Sequence, residues 1–69
     1  MMAADYSKLW KLLIDRKINK TNLREMDGIS TGTLAKLGKN DYVSAEVLEK
    51  ICVALNCEVG DIIEFVNKN

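Results

Sequence analysis

The chain has 69 residues, which is near the lower limit for a domain that folds alone. Ten basic residues balance ten acidic ones, so the formal net charge is zero. This balance argues against a histone-like or polybasic protein that binds nucleic acid through bulk charge. Apolar residues at 48% and charged residues at 29% suffice for a packed core and a charged surface, and we expect one domain over residues 1–69.

Several residue types needed for catalysis or metal binding are missing. The absence of histidine removes the commonest general base and the commonest metal ligand. Cys52 and Cys57 have no further thiol or imidazole with which to complete a zinc site, so we expect two reduced thiols. The sequence has no phosphate-binding glycine loop and no evident nucleophile–base pair. We therefore expect neither an enzyme nor a bound metal or cofactor.

The chain also lacks the segments that direct a protein to a membrane. No apolar run approaches the roughly 20 residues of a membrane span. Residues 1–5 do not combine a basic region with a following apolar one, as a signal peptide would. These features predict a cytoplasmic protein with no membrane partner.

A repeated signal marks where helices start. It consists of a capping residue with an apolar residue just before it and another four positions after it. The signal is clear at Asn19, Ser30 and Ser44, and weaker at Asp5 and Glu58. Five starts in so short a chain predict five short helices joined by tight turns.

The spacing of apolar residues agrees with an all-α fold, because they recur at three and four positions and no segment alternates with period two. In chain order the predicted helices are Asp5–Arg16, Lys20–Asp27, Thr31–Leu37, Ala45–Leu55 and Val59–Val66. Gly28 and Gly38 follow the second and third helices, where a left-handed residue commonly ends a helix.

The joint between the second and third predicted helices holds only Asp27-Gly28-Ile29-Ser30. A glycine in so short a turn lets two helices cross steeply, which is the geometry of a helix-turn-helix. Ile29 is expected to fill the space between the two helices.

The stretch from Ile18 to Val66 resembles the lambda-repressor-like helix-turn-helix domain, also called the XRE or Cro/repressor family, in its compact branch of five helices. The turn, capping and core residues that carry the resemblance are Leu23, Gly28-Ile29-Ser30, Thr33-Leu34, Leu37, Val43-Ser44, Leu48–Cys52, Ala54–Cys57 and Asp61-Ile62. The resemblance implies a transcriptional regulator of bacterial or phage type, most simply a repressor. It would bind double-stranded DNA with its third helix in the major groove.

Carried over by position, the resemblance also implies which residues contact DNA. The candidates for contacts with bases are Thr31, Gly32, Ala35 and Lys36. The candidates for contacts with the DNA backbone are Lys20, Thr21 and Asn22 at the start of the second helix, and Lys39 and Asn40 after the third.

The chain departs from the family pattern on this surface. The family often has glutamine at the start of the second helix, where this chain has Lys20, and long polar side chains where it has Gly32 and Ala35. Small residues cannot make bidentate contacts with base edges, although Ala35 can contact a thymine methyl group. We therefore expect base contacts mainly from Thr31 and Lys36. These departures keep open a second interpretation, a protein-interaction or antitoxin-like module that retains the fold and binds DNA weakly.

The last predicted helix has more apolar residues than one buried stripe needs. A stripe would use Ile62 and Val66, with Phe65 beside it, and would leave Ile63 near the surface. Such a surplus favours a homodimer with Ile63, Phe65 and Val66 in its interface. Simple capping of the core is nearly as good an explanation. In a dimer, two recognition helices one DNA turn apart (~34 Å) would bind a palindrome.

The zero net charge conceals an uneven distribution. Residues 1–40 hold eight basic and four acidic side chains, whereas residues 41–69 hold two basic and six acidic ones. The basic part contains the predicted helix-turn-helix. Zero net charge is therefore compatible with DNA binding through one face of the molecule.

Overall fold

The computed structural model describes residues 2–67. Within this range the helices are α1 (Ser7–Asp15), α2 (Lys20–Asp27), α3 (Thr31–Gly38) and α4 (Ala45–Leu55), followed by a 3₁₀ turn over Val59–Asp61. Two short strands, β1 (Met2–Asp5) and β2 (Glu64–Asn67), pair at the chain ends. The mostly helical helix-turn-helix fold is confirmed, but the all-α class and the count of five helices are not. None of the helices in residues 2–67 is long and apolar enough to span a membrane.

Side-chain caps start α2, α3 and α4. Asn19, Ser30 and Ser44 have extended backbones, and each side chain accepts a hydrogen bond from the backbone N–H three residues further on, at 2.7, 3.1 and 3.2 Å. These caps satisfy N–H groups that have no partner inside the helix. They explain why α2, α3 and α4 begin at the predicted residues, with α3 extending one residue further than predicted.

The first helix begins two residues later than predicted, because Asp5 belongs to β1. The Asp5 carboxylate still serves the helix start, since its Oδ1 accepts the Ser7 N–H at 2.8 Å. Hydrogen bonding from the Ser7 side chain, and then from this backbone N–H, favours the charged carboxylate and so lowers the pKa of Asp5.

The predicted fifth helix over Val59–Val66 is wrong. Glu58 does start a turn, but the turn is one 3₁₀ segment, in which the Asp61 carboxylate accepts the Glu58 N–H at 3.0 Å. The chain then extends, and β2 pairs antiparallel with β1, with Met2 opposite Asn67 and Asp5 opposite Glu64. The β-branched residues here favour an extended backbone, and β1 supplies the hydrogen-bond partners that a fifth helix would have found within itself.

This change reverses which apolar residues near the C-terminus are buried. The expectation that Ile63 lies near the surface is wrong, because it is 8% exposed and packs in the core. Its side chain is therefore unavailable to a partner in this fold. Phe65 and Val66 are 57% and 37% exposed instead.

The hydrophobic core draws on β1, all four helices and the segment just before β2. Its buried members are Ala4, Tyr6, Leu9, Leu13, Leu23, Ile29, Leu37, Ile51, Leu55, Ile62 and Ile63. Tyr6 contributes polar contacts as well: its hydroxyl donates to the Asp41 carbonyl at 2.7 Å, and its backbone N–H donates to Asn40 Oδ1 at 3.2 Å. Tyr6 thus fastens the N-terminal segment to the loop that follows α3.

Cys52 and Cys57 are free and half-buried at the end of α4. Burial raises the pKa of both thiols, which favours the protonated and less reactive form. No group of three or more His, Cys, Asp or Glu side chains in the described part of the chain is arranged to hold a metal ion.

Replacing Tyr6 with phenylalanine should destabilise the fold by about 1 kcal/mol, because the hydrogen bond from the buried Tyr6 to the Asp41 carbonyl would be lost. For a domain of this size we expect a fall in Tm of about 4–8 °C, measured by circular dichroism. Tyr42→Phe is the matched control, since the Tyr42 hydroxyl bonds the Met2 carbonyl at the surface. Equal Tm values for Tyr6→Phe and the parent protein would contradict this role.

Candidate nucleic-acid interface

The turn between α2 and α3 is held by one backbone conformation and one buried side chain. Gly28 ends α2 with a left-handed φ of 65°, and its N–H donates to the Arg24 carbonyl at 2.9 Å. No atom lies within 4 Å of where a Cβ on Gly28 would be, so the need for glycine there is conformational. Ile29 is 6% exposed and packs in the core, as predicted. The turn and its core residue together orient α3 relative to α2.

The prediction of a left-handed Gly38 is wrong. Gly38 is the last residue of α3, and the left-handed residue of the following loop is Asn40, with a φ of 59°. Asparagine tolerates this conformation better than most residues. The Asn40 side chain is held there by the N–H of Tyr6, so this candidate for DNA-backbone contact also has a structural task.

The four base-contact candidates lie on one exposed face of α3. Leu37 is buried and Leu34 is partly buried, which turns the opposite side of the helix outwards. That outward side contains Thr31, Gly32, Ala35 and Lys36, all exposed. The structure thus brings the four predicted residues together on a single surface.

The hydroxyl groups at the start of α3 already have partners. Ser30 Oγ accepts the Thr33 N–H and lies 3.0 Å from Thr33 Oγ1. Thr31 Oγ1 accepts a hydrogen bond from Arg24 Nη1 at 3.2 Å. Arg24 was not among the predicted site residues. The only sequence signal for it was its position four residues after Lys20, which places both on one side of α2.

The candidates at the start of α2 are all exposed, but two of them have contacts within the protein. The Lys20 ammonium lies 4.5 Å from the centre of the Trp10 ring, a cation–π contact. Asn22 completes a capping box, because its Oδ1 accepts the Asn19 N–H at 3.4 Å. Its amide nitrogen remains a donor. Thr21, the third candidate at the start of α2, is exposed as well.

The positive charges around α3 are not neutralised within the described residues. Among those residues, Lys50 and Glu46 on α4 form an ion pair at 3.6 Å. Lys36 and Lys39 are exposed, and neither forms an ion pair there. An exposed lysine without an acidic neighbour is suited to contact a phosphate or a base edge. Lys39 follows the last turn of α3, where its backbone N–H donates to the Ala35 carbonyl.

Comparison with known proteins gives the family. The model of the Cro/C1-type HTH DNA-binding domain matches residues 8–68, which include α2, the turn and α3. The chain belongs to this family. This Cro/C1-type protein is thus a DNA-binding transcriptional regulator, as the resemblance predicted.

Two relatives agree with this assignment. The HTH-type transcriptional regulator YozG of Bacillus subtilis (strain 168) is 41% identical over 56 residues, which are 78% of this chain and 67% of YozG. The crystal structure of the transcriptional regulator VanUg superposes with a TM-score of 0.95 at 57% identity, covering 97% of this chain and 89% of VanUg. The fold of this Cro/C1-type protein is therefore close to that of VanUg.

Two glycine substitutions should distinguish the left-handed glycine of the turn from the helical glycine at the end of α3. Gly28→Ala should destabilise the protein by about 1–2 kcal/mol, because an alanine pays the left-handed penalty. Gly38→Ala should stabilise it by about 0.5 kcal/mol, because Gly38 is helical and has open space at its Cβ position. Urea unfolding measures both. Similar effects of the two substitutions would contradict these assignments.

Proposed function

We propose that the protein is a cytoplasmic repressor that binds an operator in double-stranded DNA as a homodimer, residues 1–69 acting as one domain. In this proposal α3 lies in the major groove, and the start of α2 and the loop after α3 contact phosphates. The observation that carries it is the outward face of α3, flanked by Lys36 and Lys39, neither of which has an acidic partner among the described residues. We propose no catalytic activity for it.

The proposed roles of the residues on α3 differ with the size of their side chains. Lys36 carries a charge on a long stem and can donate to guanine O6 or N7. Gly32 and Ala35 let the helix backbone approach the base edges, and Ala35 can contact a thymine methyl group. Lys20, Thr21, Asn22, Lys39 and Asn40 are proposed to contact the DNA backbone. A domain docked in this way excludes other proteins from the same stretch of DNA, which is the simplest route to repression.

The homodimer is proposed from the apolar side chains exposed near the C-terminus. Phe65 is 57% exposed, and its ring lies 6.3 Å from that of Tyr42, which is 60% exposed. Tyr42 and Phe65 therefore form one aromatic patch on the surface, beside the Met2 carbonyl that accepts a hydrogen bond from the Tyr42 hydroxyl. Val66 lies on the opposite side of β2. Exposed aromatic residues of this kind are typical of protein–protein interfaces.

Two lysine substitutions should distinguish base contacts from phosphate contacts. Lys36→Ala should weaken binding to the selected operator and change which base pairs are preferred. Lys39→Ala should weaken binding evenly across sequences and lower the slope of log K against log salt by about one. Fluorescence anisotropy with operator and base-substituted duplexes measures both. Lys50→Ala is the control, because Lys50 lies on α4 and pairs with Glu46.

The same titration separates the two candidate functions. Binding that weakens as salt is raised and that depends on the DNA sequence supports the regulator. An affinity that does not change with salt, or no binding at low salt, would contradict it. Co-purification with a partner protein and no DNA binding would favour the interaction module.

The dimer is tested by Phe65→Ser, which should raise the dimer dissociation constant at least tenfold, or about 1.4 kcal/mol. Sedimentation velocity over a concentration series measures this change. Val53→Ser is the control, because Val53 is 76% exposed on α4 and lies outside the aromatic patch. A parent protein that stays monomeric at every concentration, or equal effects of the two substitutions, would argue against this interface.

A further inference from the structure

Arg24 places a long polar side chain beside the start of α3, a helix that has Gly32 and Ala35 on its own outward face. It is in the last turn of α2, and its Nη1 donates to Thr31 Oγ1 at 3.2 Å. Thr31 is the first residue of α3 and is exposed. The Arg24 guanidinium therefore lies at the N-terminal end of the recognition helix, although its backbone belongs to the preceding helix.

The guanidinium retains most of its hydrogen-bonding capacity at this place. Arginine has five N–H donors in a rigid plane, and the contact with Thr31 uses one of them. Among the side chains that the structure describes, Arg24 forms no ion pair. Thr31 accepts through its oxygen in this contact, so its own hydroxyl proton remains to be donated. The pair therefore presents several donors, and no ion pair among the described side chains competes for them.

The residue after Thr31 has no side chain and has open space around it. Gly32 is exposed, and a Cβ added to it would meet only Ser30 Oγ, at 3.8 Å. Gly32 follows Thr31 directly and has no side chain, so it adds no bulk to the exposed N-terminal end of α3.

We propose that Arg24 is a base-contacting residue, which donates two parallel hydrogen bonds to O6 and N7 of a guanine, and that Thr31 is its positioning residue. The proposal rests on the proposed docking of α3 in the major groove. Arginine paired with guanine is the commonest specific contact in that groove. The hydrogen bond to Thr31 fixes one corner of the guanidinium plane, which favours one guanine position in each half-site over its neighbours.

The test begins with the sequence that the parent protein selects from a random DNA pool. Each guanine of that sequence is then replaced by 7-deazaguanine, which lacks the N7 acceptor. At one guanine in each half-site we expect the parent protein to lose about tenfold in affinity, and about 10- to 100-fold when the whole base pair is changed. Arg24→Met keeps the aliphatic stem without the donors, and should bind the parent, 7-deazaguanine and base-changed duplexes within about threefold of one another.

Thr31→Val tests the positioning residue, because valine has the shape of threonine without the hydroxyl. It should reduce the preference for the same guanine about three- to tenfold and leave preferences elsewhere unchanged. Lys39→Ala is the control: it should weaken every duplex evenly and keep the preference for that guanine. Thermal unfolding of each variant shows whether it is folded at the temperature of the titration.

The outcomes separate this proposal from the function on which it rests. If the parent protein selects no sequence, the proposed function itself fails. If it selects a sequence but tolerates 7-deazaguanine at every position, or if Arg24→Met keeps the parent pattern of preferences, Arg24 does not contact a base. An even loss across sequences in Arg24→Met, with a salt slope lower by about one, would identify a phosphate contact and overturn the proposal.

Discussion

The placement of α3 is the constraint on which the other features depend, and it is fixed at both ends of the helix. At its start, the direction in which the chain leaves α2 is set by the left-handed Gly28, the buried Ile29 and the Ser30 cap. Beyond its end, Asn40 and the Asp41 carbonyl are both bonded to Tyr6, which is wholly buried. Each contact contributes on the order of 1 kcal/mol. Several together fix the direction of a short helix that has little stability of its own.

Local signals were enough to predict the helices but not the sheet. The caps at Asn19, Ser30 and Ser44 each involve residues within four positions, so the helix starts could be inferred from neighbouring residues in the sequence. The sheet pairs Met2–Asp5 with Glu64–Asn67, at opposite ends of the chain. Nothing in either segment alone shows that the other will supply its hydrogen bonds, so a weak cap at Glu58 and a helical spacing of apolar residues favoured the wrong element. As a result, Ile63 is buried where exposure was expected, and Phe65 is exposed although it was expected beside the buried stripe.

The candidate interface shows the same division between local and distant information. Helical periodicity alone places Thr31, Gly32, Ala35 and Lys36 on one side of α3. It does not show where long side chains on the neighbouring helices end. Lys20 lies over Trp10 of α1, and Arg24 reaches Thr31 across the turn. Both contacts depend on the angle between packed helices, which the tight turn suggests but does not specify.

Zero net charge limits what electrostatics can contribute to DNA binding. A few lysines release few counterions, so the sequence-independent part of the affinity must be modest. The acidic residues beyond residue 40 reduce it further by repelling a duplex that approaches from their side. Discrimination between sites therefore has to come from short-range contacts in the groove. A recognition helix with Gly32 and Ala35 on its outward face has few such contacts of its own, and this shortage is why a guanidinium supplied by α2 matters.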